Sequence, residues 1–467
     1  MATKKDLVEA HAFSKRRLIT AFVSGAPGGR EVEPVRPGRV LIGGIALSVL
    51  LLAGAAIAGF LIGRPNSAWL EQGSFVISKE TGERYVVLRG GDDPLLQRVP
   101  NYLSAQLLLG EPELSANRVS DKYIREVALG PDLGIDGAPT LPAAGDLIDD
   151  GWTACTAADT GIKLTITEDP DIAELRQSAY LVSSGGGLWL VAPSPGGSGY
   201  RLRLPADPTD AGVIGDRLGF GATSEAPVVP EEWLNLFPEG PSLEVASFGI
   251  PAGDIGSPAD YPGAETDLSR FQVGDLVRTP SRSYLLGPDG PIPLSEFAAV
   301  VYDSVGSSTQ DLDEDLRVAP ADTTYPDEWP TDTPVADQGV DMCAVLHPGD
   351  EGEAAEVRLA GTPRGEVAAT GIKPQSHEVD VAPSGGAYVR SGADEAATEG
   401  TPYVIDTKAQ KYQLGPDVAV YIGYGDSAAP VVPNTWLEFF EEGTALSVNA
   451  ARRVPEDAPA TGDAAAS

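Results

Sequence analysis

The chain has 467 residues, 42% of them hydrophobic, and its 33 Lys and Arg stand against 68 Asp and Glu for a formal net charge of −35. That length leaves room for two to four domains with cores of their own. A field so negative repels a polyanion, which excludes nucleic-acid binding as the function.

The charge is unevenly spread. Residues 1–39 hold eight basic side chains (Lys4, Lys5, Lys15, Arg16, Arg17, Arg30, Arg36, Arg39) and four acidic ones, a net of +4, so the remainder carries −39. Residues 3–23 predict a helix, with Thr3 and Asp6 as a capping pair and Val8, Ala12, Ile19 and Phe22 near helical spacing. On its polar face Lys15, Arg16 and Arg17 are candidate contacts for anionic headgroups, each worth about 1 kcal/mol near a bilayer, or for an acidic cytoplasmic partner. The plainer reading is a solvated helix ahead of a Gly/Pro linker that ends at Arg39.

Val40 to Ile62 runs 23 residues without a charge. As a helix it is about 34 Å long, enough to cross a hydrocarbon core of about 30 Å. The basic flank on its N-terminal side predicts a cytoplasmic N-terminus, with the bulk of the chain outside the cytoplasm. A cleaved signal peptide is the competing reading; the long apolar run and the 39 residues before it weigh against that. Gly54 with Ala58 and Ala55 with Gly59 form small-xxx-small pairs that permit close helix approach.

Beyond the span lie the two cysteines of the chain, Cys155 and Cys343. In an oxidising compartment they pair by default, and closing so long a loop stabilises by about 5 kcal/mol on the chain-entropy account. Two buried free thiols are the alternative.

An internal repeat is the most informative feature. Ala226-Pro-Val-Val-Pro230, then Trp233-Leu234, Phe237, Glu239-Gly240 and Leu243, returns as Ala429-Pro-Val-Val-Pro433, then Trp436-Leu437, Phe440, Glu442-Gly443 and Leu446, at a constant offset of 203. Each copy predicts an extended Val-Val segment, a Pro opening a helix, an apolar Trp-Leu-x-x-Phe core face, and a Gly that stops the helix. Upstream, Tyr85-Val-Val-Leu and Tyr284-Leu-Leu-Gly correspond more faintly, each followed by a short apolar helix, around Tyr102 to Leu108 and Phe297 to Tyr302. The order points to a duplicated chain with a pseudo-twofold axis. Lys163-Leu-Thr-Ile-Thr and Glu356-Val-Arg-Leu-Ala predict one strand per half beside its cysteine, building a shared central β domain.

The expected architecture is α+β and elongated. Residues 1–39 form a cytoplasmic basic helix and linker, 40–62 a transmembrane helix and 63–115 a first repeat module. The central domain takes 116–176 and 311–376. A second module spans 177–246, a linker with the third 247–310 and a fourth 377–447, ahead of a disordered tail at 448–467.

In this order the features resemble EccB, the single-pass membrane component of actinobacterial type VII (ESX) secretion systems. The resemblance covers nearly the whole chain. It rests on Ala12-Phe13-Ser14-Lys15-Arg16-Arg17, the span followed by Arg64-Pro65, one cysteine in each half, and the twice-used Val-Val-Pro-x-x-Trp. It implies a central domain stapled by Cys155 and Cys343, four flanking repeat modules and an architectural role. The implied partners are a translocation ATPase, a multi-span channel-like subunit and a further membrane subunit, with a membrane-anchored subtilisin-like protease as a further neighbour. The outer region would self-associate. The strong acidity and the weak first module depart from the family pattern.

Catalytic signals are absent from the sequence. An ATPase activity proposed for such proteins needs glycine-rich amides and a phosphate-reaching Lys, but no Gly-Lys dipeptide occurs, and Gly185-Gly-Gly187 reads as a hairpin turn. There is no H-E-x-x-H or G-x-S-x-G motif, and Gly425-Asp426-Ser427 reads as a structural loop. His347 beside Asp350, Glu351 and Glu353 could hold a divalent cation, but such acidic runs in loops are usually solvated. The expectation is a structural secretion component without enzyme activity, metal or cofactor. An extracytoplasmic binding module for cell wall or exported substrate is the alternative, and an ATPase the least favoured.

Overall fold

The computed structural model describes residues 3–24, 37–62, 67–306, 308–321, 325–337, 341–349, 353–362, 367–394 and 396–455. They fall into two compact units, divided after Trp69.

The first unit holds α1 (Lys4–Ser24) and α2 (Pro37–Ile62). The Thr3 amide and hydroxyl donate to the Asp6 carboxylate at 3.0 and 2.7 Å, the capping pair expected from the sequence. These bonds hold the Asp6 carboxyl below its ordinary range. Pro37 opens α2, where its fixed φ suits the first turn and no N–H is missed. Among the described residues α2 alone is long and apolar enough to cross a membrane.

The second unit begins with β1 (Phe75–Ser78), β2 (Arg84–Arg89), β3 (Leu95–Val99), α3 (Tyr102–Leu109), β4 (Ala116–Val119), α4 (Asp121–Ile124) and β5 (Ala128–Leu129). The first three strands form an antiparallel meander. After α3 the chain returns so that β4 pairs parallel to β1 and β5 parallel to β3. Next come β6 (Trp152–Thr156), β7 (Ile162–Ile166) and β8 (Ala173–Glu174), then β9 (Ser178–Ser184), β10 (Gly187–Pro193), β11 (Gly199–Arg203), α5 (Pro208–Arg217), α6 (Glu231–Leu234) and β12 (Glu239–Gly240). Gly185 and Gly186, at φ 57° and 77°, make the two-residue turn of the β9–β10 hairpin.

The second half repeats the plan with β13 (Asp275–Arg278), β14 (Ser283–Leu286), β15 (Pro291–Leu294), α7 (Glu296–Val305) and β16 (Ser308–Asp311). There follow β17 (Val335–Ala336), β18 (Met342–His347), β19 (Glu356–Gly361), β20 (His377–Val381), β21 (Ala387–Gly392), β22 (Thr401–Ile405), β23 (Gln410–Gln413), α8 (Val418–Tyr421), β24 (Val431–Pro433), α9 (Asn434–Leu437), β25 (Glu441–Glu442) and α10 (Val448–Ala451).

Four satellite sheets thus surround one six-stranded sheet of order β20-β7-β6-β18-β19-β8. Every satellite is a three-stranded meander whose chain returns after a helix to lie parallel to the first strand. In three of them a one-turn helix then leads to a strand parallel to the third.

Three expected boundaries are corrected by this pairing. Residues 116–129 complete the first satellite sheet instead of opening the central domain, because β4 and β5 pair with β1 and β3. β17 belongs to the second satellite through β9, and β20 belongs to the central sheet through β7. The tail also begins later than expected: Ser447 caps α10 by accepting from the Ala450 amide, Ala451 is buried, and the Arg453 carbonyl accepts from the Gly134 amide at 3.1 Å. Residues 456–467 lie outside the described residues.

The cores cross between the halves. Apolar residues of the first and fourth modules share one cluster (Phe75, Val86 and Leu107 with Tyr388, Val404 and Leu446), and those of the second and third share another (Leu190, Leu202 and Ile214 with Leu276, Phe297 and Val301). A third joins one face of the central sheet to the two Trp-bearing signatures.

Candidate functional site

The centre of the molecule is the antiparallel pair β6–β18, where Trp152 faces Leu346, Ala154 faces Ala344 and Cys155 faces Cys343. The two cysteines are directly opposite and joined as a disulfide, with Cα atoms 4.0 Å apart. Opposed positions on an antiparallel pair bring side chains close enough for this bond. β7 flanks β6 and β19 flanks β18, so the strands expected beside each cysteine are neighbours in the sheet. The outer strands are exchanged between halves: β20, from the second half, lies on β7, and β8, from the first, lies on β19. Lys163 ties the first exchange with ion pairs to Asp380 at 2.5 Å and Glu378 at 3.4 Å.

The repeated signatures dock on this sheet. Pro230 and Pro433 occupy the N-cap positions of α6 and α9. Trp233, Phe237 and Trp436 are wholly buried and Phe440 nearly so. Trp233 stacks edge-on against Phe237 at 5.3 Å and its indole N–H donates to the Ala154 carbonyl at 2.9 Å, next to Cys155. Phe440 meets Trp152 edge-on at 5.7 Å. The indole N–H groups of Trp436 and Trp152 are buried without an acceptor. Trp152, three residues before Cys155, is a central contact that the sequence reading passed over; its place beside the cysteine is the only signal it carries.

Gly240 and Gly443 do not stop helices, contrary to expectation, because α6 and α9 are single turns that end at Leu234 and Leu437. Gly240 lies in β12, where an added Cβ would come 2.6 Å from Leu202 Cδ2, and Gly443 follows β25, where a Cβ would clash with the Tyr412 ring. The close approach of a parallel strand to the third strand of its module is what requires glycine there.

Lys15, Arg16 and Arg17 are exposed and consecutive on α1, so they sweep about 200° of its surface. Among the described residues His347 meets two acids from the first half of the chain. Its Nε2 lies 2.9 Å from Glu174 and its Nδ1 3.4 Å from Asp150; Asp350 and Glu351 lie outside the described residues. Among the described residues the one grouping of metal-type ligands is Cys155, Asp341 and Cys343. With both sulfurs joined it offers no thiolate, and burial raises the Asp341 carboxyl, so the set does not fit a cation. The arrangement is one of packing and cross-linking.

The family model described as type VII secretion system ESX-1, transport TM domain B, matches residues 1–460. No curated protein matches the chain. Among solved structures, a chain of an intact ESX-5 inner membrane complex superposes with a TM-score of 0.61 at 20% identity, covering 100% of this chain and 98% of that one. The periplasmic assembly of the ESX-5 inner membrane complex gives 0.58 at 20% identity over 85% and 99%. An EccB3 dimer from the ESX-3 core complex gives 0.61 at 23% identity over 81% and 100%. With a family match that runs from the apolar helix through all four repeat modules, the chain belongs to the EccB family of type VII secretion system components.

Proposed function

We propose that this protein is an architectural component of a type VII secretion complex, anchored by α2 with residues 1–39 in the cytoplasm, and that its outer region builds the extracytoplasmic part of the machinery. The observation that carries the reading is the cross-linked central sheet. Both halves contribute strands to it, a disulfide joins them at its middle, and the large aromatics of the repeats are spent on packing against it. Such a body suits the transmission of position more than chemistry. The similarity to chains of inner membrane complexes and of a dimer supports self-association of the outer region, alongside a translocation ATPase, a multi-span subunit and a further membrane subunit.

The test is mild-detergent extraction of the tagged full chain from its host, with and without prior crosslinking, followed by size separation and mass spectrometry. A large assembly carrying a multidomain ATPase and a multi-span subunit is expected. A chain that runs alone even after crosslinking would sink the proposal.

A further inference from the structure

Asp341 stands immediately before β18, two residues from Cys343, a spacing that puts both on one side of an extended chain. It is 2% exposed, and the bonded Cys155 and Cys343 are 4% and 0% exposed. Asp341 Oδ2 lies 3.8 Å from Cys343 Sγ, and a carboxylate oxygen comes within 4.8 Å of both sulfurs. A disulfide sulfur has no hydrogen to donate across this contact, whereas the Cys343 thiol would. Oδ2 accepts from the Ala368 amide at 3.3 Å, and Oδ1 is buried without a partner. No cation pairs with this carboxyl among the described residues. A buried acid held in that way costs stability, and nothing in the finished bond uses it.

Among the described residues Asp341 is the one carboxylate within that reach of both sulfurs. Burial raises its carboxyl, against the Ala368 amide and the Thr362 hydroxyl, which brings it nearer the range of a thiol and makes it a stronger base. The other titratable groups on this side are Tyr180 and Asp337, which hydrogen-bond to each other. Burial, then the charges of Asp337 and Asp341, hold the Tyr180 hydroxyl well above its ordinary range, so it takes no proton from a thiol.

We propose that Asp341 is the base that closes the Cys155–Cys343 bond, by thiol–disulfide exchange with a disulfide-bearing donor. Cys155 is made 188 residues before Cys343, so the donor exchanges first with Cys155 and releases one donor thiol. Once β18 pairs with β6, Cys343 passes its proton to Asp341 and its thiolate attacks Cys155 Sγ. The new S–S bond forms, and the second donor sulfur leaves as a thiolate that takes a proton from solvent. Two cysteine thiols are oxidised, and one donor disulfide is reduced to two thiols. The proton transfer only moves a negative charge from oxygen to sulfur, whereas an Asn at this position would require a new charge in a buried site. It leaves Asp341 neutral beside the finished bond, the form that burial favours. This step is separate from the assembly role and is tested on the purified chain.

The test uses the full-length protein in detergent micelles, reduced in urea, returned to native buffer and exposed to glutathione disulfide. Acid-quenched samples are read by mass spectrometry with peptide mapping, and the rate followed is that from the singly glutathionylated chain to the closed one. In the native protein this rate should be nearly level between about pH 7 and 8, and Asp341→Glu should keep that profile. Asp341→Asn should close roughly a hundredfold more slowly at neutral pH and gain about tenfold per pH unit, as a thiol that must ionise unaided. Asp337→Asn, the same change at the neighbouring carboxylate, should leave the profile level. Urea midpoints show which closed variants are folded; Asp341→Asn removes a buried charge and should be no less stable, and Asp341→Ser decides the matter if it does not fold. Equal rates and pH slopes in the native and Asp341→Asn chains would overturn the proposal. So would glutathione mapped to Cys343 in the closing species, or an equal slowing by Asp337→Asn.

Discussion

Trp233 and Trp436 hold the same place in two copies of one motif, yet their indoles fare differently. Trp233 donates to the Ala154 carbonyl; the Trp436 N–H is buried without an acceptor. Changing either to Phe removes similar apolar area, but only Trp233→Phe gives up a hydrogen bond, the one to the Ala154 carbonyl of the central sheet. We therefore expect Trp233→Phe to destabilise by about 1 kcal/mol more than Trp436→Phe, read from urea unfolding midpoints. The pair was legible in the sequence because identical residues recur at constant spacing. Their inequality was not, since it depends on which strand each indole meets.

At the level of elements, α5 and α7 are joined by the Arg217–Asp303–Arg278 group. Burial pushes the Asp303 carboxyl upward, but the Thr309 hydroxyl and the two guanidinium groups outweigh this and hold it below its ordinary range. A depressed carboxyl stabilises the fold above its unfolded pKa of about 3.9, and that contribution is lost as pH falls through the lower folded value. Hydrogen exchange in α5 and α7 should therefore accelerate on acidification through this window. Asp303→Asn should already show fast exchange at neutral pH and remove that pH response. Nothing local announces this group, because its members lie far apart along the chain. The same limit hid the copy of the signature in the first module, where Val119-Ser120-x-x-Tyr123-Ile124 takes the place of Val-Pro-x-x-Trp-Leu before the short strand β5. Its order of elements matches the other modules while the identities have drifted. The exchanged strand β8 is too short to show a period-2 pattern, so only the pairing reveals where it belongs.

For the molecule as a whole, the duplicated sequence folds into halves that are not separable. Modules pair as first with fourth and second with third, and the central sheet interleaves three strands from each half. A fragment covering residues 70–246 should therefore be unfolded when produced alone, as judged by near-ultraviolet circular dichroism, and should recover structure when mixed with residues 247–455. A folded fragment would refute the interdependence. The disulfide adds a covalent tie to halves that are already interleaved, and the chain-entropy value of about 5 kcal/mol is the largest effect to expect from replacing both cysteines by Ser.

This interleaving also sets a clock. Phe75 shares a core with Ala451, which is made 376 residues later. At synthesis rates of about 5–20 residues per second, the earliest module waits roughly 20–75 s for the residues that cover it. During that interval α3 can lie on β2 and β3 of its own module, but the side of it that meets α8 and α10 has no native cover. The emerging chain must be shielded, or held from collapsing, until its last module has been delivered.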